Sequence, residues 1–463
     1  MADEDTLEHR AVDVVVIGGG IAGLSAALGA AENGAETVLL EKQPLLGGST
    51  AMSGGLFAFA DTEEQQAQGI SDTSGRLQQD LRDVGGARND MRLLEAYAGR
   101  QADTHEWIKS KGIVFGTIKL GAGQSVARSH HTSIHELLKT FRIAFLDTGR
   151  GRILPEHRAV RLEREGSRVS AVVVQTPDGL ARFNVRGGVV VATGGFSRSQ
   201  ELLETFAPSQ AGALPYGGLG NTGDGLRMAW RLGAGFRDMG YISGTYGSHP
   251  ETGPAQNELL CSFYMGGIIV NEDGQRFVDE SLSYKVIGDA CLRQPDGLGY
   301  QVFDAQVRAK SAPGVALSDI DFLEDKGRLF IADTVEGLAS AAGIDGPELM
   351  KTIERYNENV RSGRADEFGR DSLCNHVGER LEITEPPFYA YPAMTMMTST
   401  YCGLTITPNA EVLDVEGSII DGLYAAGEVT GGFHGLAPMT GASLGMGALF
   451  GRTAGYEAAR RSR

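Results

Sequence analysis

The chain opens with apolar runs that are separated by a glycine-rich break. Residues 12–17 form a short β-branched run, which is typical of a buried strand. Glycines crowd residues 18–23, and the Ala/Leu-rich stretch 24–33 that follows predicts a helix. Residues 37–40 predict a second buried strand, with the acidic Glu41 at its end. This order of elements predicts a βαβ unit with a parallel sheet.

The glycine spacing in this unit is typical of a dinucleotide-binding turn. Gly18 permits a tight turn, Gly20 lets a pyrophosphate approach the backbone, and Gly23 lets the helix pack on the strand. The helix N-terminus offers N–H groups and a positive dipole to phosphates. Glu41 is positioned to accept hydrogen bonds from ribose hydroxyls. The strand, helix and acid in register make this signal far stronger than the glycines alone.

Composition narrows the class of protein. The 463 residues are 41% hydrophobic and 22% charged, which is typical of a globular chain and excludes global disorder. A net charge of −17 argues against nucleic acid or anionic lipid as a partner. No apolar run reaches the roughly 18 residues of a membrane span, and the acidic N-terminus does not resemble a signal peptide, so we expect a cytoplasmic protein.

Cysteine and histidine usage gives no metal signal. The four cysteines are far apart and form no CxxC pair, so we expect reduced thiols rather than a zinc site. The pair His130-His131 has no cysteine or carboxylate cluster nearby in the sequence, so the prediction is no metal. The chain has 65 glycines, a content that suits a protein wrapped around a large cofactor.

Four further segments carry a resemblance to a known family. They are GGSTAMSGG at 47–55, VVVATGGF at 189–196, GNTGDG at 220–225 and LYAAGEVTGG at 423–432. They resemble flavin-contacting loops of the fumarate reductase/succinate dehydrogenase flavoprotein superfamily, which also includes the 3-ketosteroid dehydrogenases. The resemblance spans nearly the whole chain.

The resemblance implies an α/β architecture in which a Rossmann-like FAD-binding domain carries an inserted α+β capping domain. The FAD-binding domain is expected at 1–245 and 396–463, and the cap at 246–395. Within the cap, residues 268–271 read as a strand and 348–361 as a helix. The final helix, about 441–459, is expected to direct its N-terminus toward the flavin pyrimidine ring.

The resemblance also implies non-covalent FAD, because the flavin-loop Ser49 is followed by Thr50 and not by the histidine that membrane-bound members use for attachment. Electrons are expected to pass to or from a separate acceptor or donor. The residues expected to contact FAD are Gly18, Gly20, Ile21, Ala22, Gly23, Glu41, Lys42, Gly48, Ser49, Thr50, Ser53, Gly54, Gly55, Val160, Thr193, Gly194, Asn221, Asp224, Gly427, Glu428, Ser443 and Leu444.

The substrate site departs from the fumarate reductase pattern. The position that matches the proton-donating arginine is Tyr284, and the histidine pair is replaced within 398–403, which contains Tyr401. The segment 434–439 contains no arginine, and the Glu/Arg proton relay aligns with Leu260 and Phe263. A dicarboxylate without paired cations would carry a desolvation cost of several kcal/mol. We therefore expect a neutral or mono-anionic small-molecule substrate, such as a cyclic ketone.

Three residues are candidates for catalysis: Tyr284, His249 and Tyr401. In the expected desaturation Tyr284 removes the α-proton, hydride passes to flavin N5, and Tyr401 or backbone near 441–442 binds the carbonyl. The residues expected to contact substrate are Tyr264, Phe263, His434, Met439, Gly441 and Ala442.

Other readings stay open at this stage. Tyr284 also suits a packed tyrosine in the cap core, His249 a turn histidine before Pro250, and His434 a residue that fixes backbone beside the cofactor. Three functions remain: a desaturase of cyclic ketones, of the 3-ketosteroid or 4-oxocyclohexanecarboxylate type; an ene-reductase of the fumarate or urocanate reductase type; and a flavin-binding protein without catalysis.

Overall fold

The first apolar run forms a central strand, Glu8–Ile17, in this computed structural model, which describes residues 8–116, 118–253, 258–315, 317–374 and 378–463. The strands are β1 (Glu8–Ile17), β2 (Thr37–Leu40), β3 (Leu56–Ala58), β4 (Ile118–Lys119), β5 (Ser129–His131), β6 (Gly151–Leu154), β7 (Arg158–Glu165), β8 (Arg168–Thr176), β9 (Gly179–Val191), β10 (Leu214–Pro215), β11 (Phe236–Arg237), β12 (Thr245–Ser248), β13 (Ile268–Val270), β14 (Leu298–Phe303), β15 (Phe330–Ala332), β16 (Phe388–Met397), β17 (Gly403–Leu404), β18 (Glu411–Leu413) and β19 (Ile419–Ala425).

The helices separate these strands along the chain. They are α1 (Ile21–Glu32), α2 (Gly48–Ala51), α3 (Glu63–Ala67), α4 (Ser74–Val84), α5 (Met91–Ser110), α6 (Ile134–Asp147), α7 (Gln200–Phe206), α8 (Asp224–Trp230), α9 (Tyr284–Cys291), α10 (Ala305–Arg308), α11 (Ile320–Asp325), α12 (Val335–Ala342), α13 (Gly346–Ser362) and α14 (Ala442–Arg461). No helix in the described part of the chain is long and apolar enough to cross a membrane.

The chain divides into two compact units. The larger contains the described residues up to Phe206, Gly217–Ile242 and Ser399–Arg463, and the smaller contains Ala207–Tyr216 and Ser243–Thr398. The segment 207–216 belongs to the smaller unit, whereas the sequence analysis placed it in the first part of the FAD-binding domain. The assignment of a substrate cap at 246–395 stays a prediction.

The larger unit is built on an eight-stranded sheet. Its main path runs β18-β19-β9-β1-β2-β6, and β7 and β8 extend it from β9. The strands β19, β9, β1, β2 and β6 pair in parallel, in the manner of a dinucleotide-binding fold. This arrangement confirms the predicted α/β class.

Helix α1 packs against α14 through small residues. A Cβ added at Gly451 would lie 2.2 Å from Ala22 O, and one added at Gly455 would lie 2.0 Å from Ala26 O. The backbones of the two helices therefore approach more closely than any side chain would permit. This contact fixes both helix N-termini, Ile21 in α1 and Ala442 in α14, within one unit.

The smaller unit is an α+β structure with its own core. Its six-stranded sheet follows the order β10-β16-β14-β13, and β12 and β15 also pair with β16. Beside β13, Arg276 pairs with Glu280 at 2.6 Å and with Asp366 at 2.7 Å, and Arg370 pairs with Glu280 at 3.1 Å. All four side chains are at most 1% exposed, so these ions satisfy one another inside the core.

Candidate active site

The glycine turn after β1 has no room for side chains. Gly18 has a φ of 110°, and a Cβ there would lie 2.3 Å from Ala192 O. A Cβ at Gly23 would lie 1.8 Å from Gly18 O, and one at Gly20 would lie 3.3 Å from Thr50 Oγ1. Only glycine permits this close approach, so the turn leaves a bare backbone surface at the start of α1.

Hydrogen bonds tie the turn to its neighbours. Gly19 N donates to Glu41 Oε2 at 2.9 Å, and Gln43 N donates to Glu41 Oε1 at 2.8 Å. Ile21 N, the first N–H of α1, donates to Thr50 Oγ1 at 3.0 Å. The Glu41 carboxylate thus lies beside the turn, as a ribose ligand requires, and Thr50 lies at the helix N-terminus, where Ala22 and Gly23 follow.

A cleft of about 560 Å³ lies next to the end of β2. Lys42 Nζ donates to Thr222 Oγ1 at 2.6 Å and to Asp224 Oδ2 at 3.0 Å, and Arg158 Nε also donates to Asp224 Oδ2 at 3.0 Å. Burial alone would raise the pKa of Asp224, but the hydrogen bond from Arg158 and the charge of Lys42 lower it. Lys42 and Asp224, both expected to contact FAD, therefore form an ion pair in the cleft wall.

A second polar group joins four segments that are distant in the sequence. Asn221 Nδ2 donates to Ser49 Oγ at 2.9 Å and to Glu428 Oε2 at 3.1 Å, and Thr400 N donates to Glu428 Oε1 at 3.0 Å. Desolvation raises the pKa of Glu428 in spite of these donors. A Cβ at Gly194 would lie 2.4 Å from Asn221 Oδ1, so the loop after β9 also approaches this group.

Other residues expected to contact FAD also make close contacts within the larger unit. Ser53 Oγ donates to Thr50 O at 2.8 Å, and a Cβ at Gly427 would lie 2.7 Å from the Cβ of Ala22. A Cβ at Gly55 would lie 2.1 Å from Thr132 O. The side chain of Thr193 lies against Gly225, where an added Cβ would be 2.2 Å from Thr193 Oγ1.

Three positions leave backbone accessible. A Cβ at Gly48 or Gly54 would meet no atom within 4 Å. Val160 lies where the β7–β8 ladder shifts register between Ala159 and Arg161. A bulged residue is left out of the ladder pairing, and its backbone is available to a ligand.

The polar side chains around the turn and the exposed backbone of its glycines fit FAD. The turn and the α1 N-terminus suit a pyrophosphate, Glu41 suits a ribose, and the cleft at Lys42 suits the adenosine end. The open space at Gly48 and Gly54 leaves room for the polyol and ring. Each individual contact stays a prediction.

The candidate reactive groups of the larger unit are His434, in the loop before α14, and Tyr401, in the segment between β16 and β17. The ring of His434 lies 5.2 Å from that of Tyr401, and His434 Nε2 lies 3.5 Å from Ser443 Oγ. Burial lowers the pKa of His434 to about 3, so the ring is neutral at physiological pH. Tyr401 has a φ of 52°, a conformation that is uncommon outside glycine and marks functional sites in many proteins.

The same loop ends on glycine. Met439 is 2% exposed, and a Cβ at Gly441 would lie 2.9 Å from Ala58 N. Ala442 N donates to Met439 O at 3.1 Å, and the expected contact of this backbone with a substrate carbonyl stays a prediction. The N–H groups of Ser443 and Leu444 follow it in the first turn of α14.

In the smaller unit, Tyr284 is the first residue of α9, four positions after Glu280 of the buried ion network. Burial raises the pKa of Tyr284 to about 12. The neighbouring Tyr264 donates its hydroxyl to Leu282 O at 2.7 Å, and burial raises its pKa as well. Both tyrosines pack at the border of one apolar cluster.

Phe263 and His249 differ from these tyrosines. Phe263 is 0% exposed and packs inside the cluster, so it presents no surface to a ligand in this structure. His249 Nδ1 accepts from Glu251 N at 3.1 Å, and its ring lies 5.6 Å from that of Tyr391. Burial lowers the pKa of His249, so it too is neutral at pH 7.

Two residues that position the site were not predicted. Thr400 orients Glu428 through its N–H, and Gln124 Nε2 donates to Thr440 O at 2.9 Å, next to Gly441. Gln124 also donates to Ser129 Oγ at 2.8 Å, which anchors it on β5. Thr400 lies in the segment 398–403 that matches the family's histidine pair, but its role there was not inferred. Gln124 belongs to no motif, and its partner Thr440 lies far away in the sequence, so no local signal marks it.

Comparisons with known proteins agree with this geometry. The family model described as an FAD binding domain matches residues 13–444. A probable fumarate reductase, Ifc3, of Shewanella frigidimarina (strain NCIMB 400) is 32% identical over 456 residues, which are 96% of this chain and 74% of that protein. The 3-oxosteroid 1-dehydrogenase of Mycobacterium tuberculosis (strain ATCC 25618 / H37Rv) is 27% identical, over 90% of this chain and 92% of that protein.

A solved structure supports the same relationship. The open conformation of a flavocytochrome c3 fumarate reductase superposes with a TM-score of 0.86 at 31% identity, over 98% of this chain and 79% of that one. The resemblance inferred from the flavin-loop motifs is therefore confirmed.

Proposed function

This chain belongs to the FAD-binding domain family, and from that premise we propose that it desaturates a cyclic ketone at the bond α,β to the carbonyl. The chain is an FAD-dependent oxidoreductase of the fumarate reductase/ketosteroid dehydrogenase superfamily, and its relatives act on CH–CH or C=C bonds. Electrons pass to a separate acceptor in this proposal.

One observation carries the choice of substrate. The segment 434–439 has no lysine or arginine, and the position that matches the proton-donating arginine is the partly buried Tyr284. If both positions contact the substrate, as the family resemblance implies, a dicarboxylate would lose its hydration without gaining a cation from them, at a cost of several kcal/mol. A ketone needs only hydrogen-bond donors, which tyrosine hydroxyls supply.

The residues of the chain would divide the work as follows. FAD, when bound, supplies the hydride acceptor. Tyr284 exchanges the proton at the α-carbon, and Tyr401 donates a hydrogen bond to the carbonyl oxygen. Neutral His434 holds the loop at Tyr401 and adds no charge that would favour a carboxylate.

The raised pKa of Tyr284 predicts a pH signature for this direction. As a base it must act as tyrosinate, and with a pKa of about 12 the ionised fraction rises about tenfold per pH unit across the neutral range. The single-turnover rate of flavin reduction should rise accordingly between about pH 7 and pH 10.

Ene reduction is a second candidate, and two observations favour it. At pH 7 the Tyr284 phenol is protonated, which suits a group that donates a proton to the α-carbon. The relatives that match include proteins named as reductases of C=C bonds. In this direction the rate should be flat across the neutral range.

Anaerobic flavin titration separates the candidates. The yellow enzyme is mixed with steroidal and small carboxylated cyclic ketones, and the chemically reduced enzyme with enones, fumarate and urocanate. Bleaching by a ketone supports the desaturase, and reoxidation by an enone or enoate without such bleaching supports the reductase. If neither occurs with any compound, the catalytic proposals lose to a non-catalytic flavin protein.

A variant tests the role of Tyr284 in either direction. Tyr284→Phe should lower turnover about 10²–10⁴-fold, as expected for loss of a proton-transfer group, with unchanged flavin content. Tyr246→Phe is the matched control, because Tyr246 lies in the same apolar cluster and its buried hydroxyl has no hydrogen-bond partner among the described residues. Turnover that is equal in both variants contradicts the assignment.

A further inference from the structure

Three residues from separate elements converge in the larger unit, and none of them belongs to the glycine turn or to the loop that contains His434. They are Glu64 on α3, His105 on α5 and His130 on β5. One ligand atom from each lies within 4.8 Å of the other two. His105 is 2% exposed and His130 is 0% exposed, so two imidazoles lie in the interior with a carboxylate at their edge.

Both histidines have a partner on the same ring nitrogen. His130 Nδ1 lies 2.8 Å from Arg128 O, which only accepts, so this nitrogen carries the proton and Nε2 has the lone pair. His105 Nδ1 lies 3.1 Å from Glu106 Oε1, again an acceptor. A carbonyl or carboxylate on one ring nitrogen is the usual arrangement for a histidine whose other nitrogen binds a metal.

The remaining atoms of the group are poorly satisfied. His105 Nε2 and Glu64 Oε2 lie 3.1 Å apart, but neither makes a hydrogen bond in the described structure. Two buried polar atoms at this distance, and off hydrogen-bond geometry, are placed to share a third atom. The other oxygen of Glu64 pairs with Lys109 Nζ at 3.0 Å, which leaves Oε2 for that atom.

We propose that Glu64, His105 and His130 bind one divalent cation of the zinc class. Two imidazoles and one carboxylate suit Zn²⁺ or Co²⁺, whereas Mg²⁺ and Ca²⁺ prefer all-oxygen sites. Metal–ligand bonds of about 2.0–2.2 Å in a tetrahedron require ligand atoms about 3.3 Å apart. The His105–Glu64 pair already meets this distance, and the His130 ring must move closer.

One present contact has to change. Thr62 Oγ1 lies 2.7 Å from His130 Nε2, and it also accepts from Gln65 N at 3.2 Å. On metal binding the hydroxyl keeps the Gln65 bond and gives up the nitrogen. Glu64 is 16% exposed, and the exposed Glu63 shares Lys109 with it, so the carboxylate end of the group lies nearest the solvent.

The site would join α3, α5 and β5, so its role is structural. It departs from the prediction of no metal, which rested on the absence of carboxylates near His130 in the sequence. Glu64 and His105 are 66 and 25 positions away from His130, and only the fold brings them together. No spacing motif reveals such a group.

The test uses the FAD-loaded enzyme after chelator treatment. Calorimetric titration with Zn²⁺ should show one tight site, with no comparable site for Mg²⁺. Glu64→Gln should weaken this binding by more than the 10–100-fold that loss of an outer partner costs. Glu63→Gln is the matched control on the same helix and with the same lysine, and it should bind as the wild type does.

A zinc-edge anomalous diffraction map of wild-type crystals gives a readout independent of any variant. The peak should lie about 2.0–2.2 Å from all three ligand atoms. No peak there, or equal affinity in Glu64→Gln and Glu63→Gln, overturns the proposal. In that case the ion-pair contact between His105 and Glu64 accounts for their short distance.

Discussion

The glycine turn and the His434 loop are two parts of the same unit, yet they are built in different ways. At the turn, residues 18–23 contribute backbone, and the side chains that matter come from Glu41 and Thr50 as acceptors for N–H groups. At the loop, the chemistry depends on side chains, namely the ring of His434 and the ring of Tyr401 that lies against it from the segment before β17. The turn leaves polar backbone open, whereas the loop encloses a neutral histidine in a water-poor space.

This difference determines how each part tolerates substitution and protonation. A backbone site is sensitive to any added atom, because the neighbouring atoms belong to the main chain and do not rotate away. A side-chain site is sensitive to protonation, because burial sets the cost of adding a charge. Substitutions at the turn should therefore lower stability through steric overlap, whereas substitutions at the loop should change how stability depends on pH.

Gly23→Ala should break the turn completely and has the largest expected effect. The added Cβ would lie 1.8 Å from Gly18 O and 2.9 Å from Gly18 C, both main-chain atoms. We expect a loss of unfolding free energy above about 3 kcal/mol and a protein purified without flavin. Denaturant unfolding and the flavin absorbance per chain measure the two effects.

Gly99→Ala is the control for helix propensity. Gly99 lies inside α5, and an added Cβ there would meet nothing within 4 Å. This variant should retain FAD and gain up to about 1 kcal/mol. Retention of flavin by Gly23→Ala would show that the turn has more freedom than its geometry implies.

The loop that contains His434 should instead lose stability at low pH. Because the pKa of His434 is lowered to about 3 in the folded protein, the unfolded chain takes up a proton below its ordinary pKa of about 6.5 and the folded chain does not. Stability is therefore fully present above about pH 6.5 and falls toward pH 3, by at most about 1.4 kcal/mol per pH unit.

His434→Asn should remove this contribution to the slope. Urea unfolding between pH 4 and pH 7 measures the difference in slope between the variant and the wild type. His135→Asn, at an exposed position on α6, is the control and should leave the wild-type slope in place. If His434→Asn unfolds with the wild-type pH dependence, the loop does not hold a neutral buried histidine.

The same contrast explains what the sequence can predict. The strand 37–40 was expected and is β2 (Thr37–Leu40) with the same bounds, and the turn glycines lie where their spacing placed them. The helix expected at 24–33 begins earlier, at Ile21, because the glycine turn itself opens the helix. These features depend on neighbours within a few positions, so local pattern is sufficient.

The loop and the smaller unit depend on distant partners. The use of the Ala442 N–H by Met439, the full burial of Phe263 and the role of Gln124 were not foreseen. Each results from packing between segments that are far apart in the sequence. The roles of Tyr284, His249 and Tyr401 came from family resemblance alone, and the structure adds their surroundings without testing their chemistry.

Thr50→Val has the smallest expected effect, because it removes one hydrogen-bond acceptor at the turn and adds no bulk. Thr50 is buried, and its Oγ1 accepts from Ile21 N at 3.0 Å. Valine has nearly the same shape but cannot accept, so the first N–H of α1 loses its partner at a cost of about 1–3 kcal/mol. Thr50→Ser keeps the acceptor and should lose less in urea unfolding. If the turn responds only to bulk, both variants will unfold alike; if it also depends on satisfied backbone donors, valine alone will lower the stability and the flavin affinity.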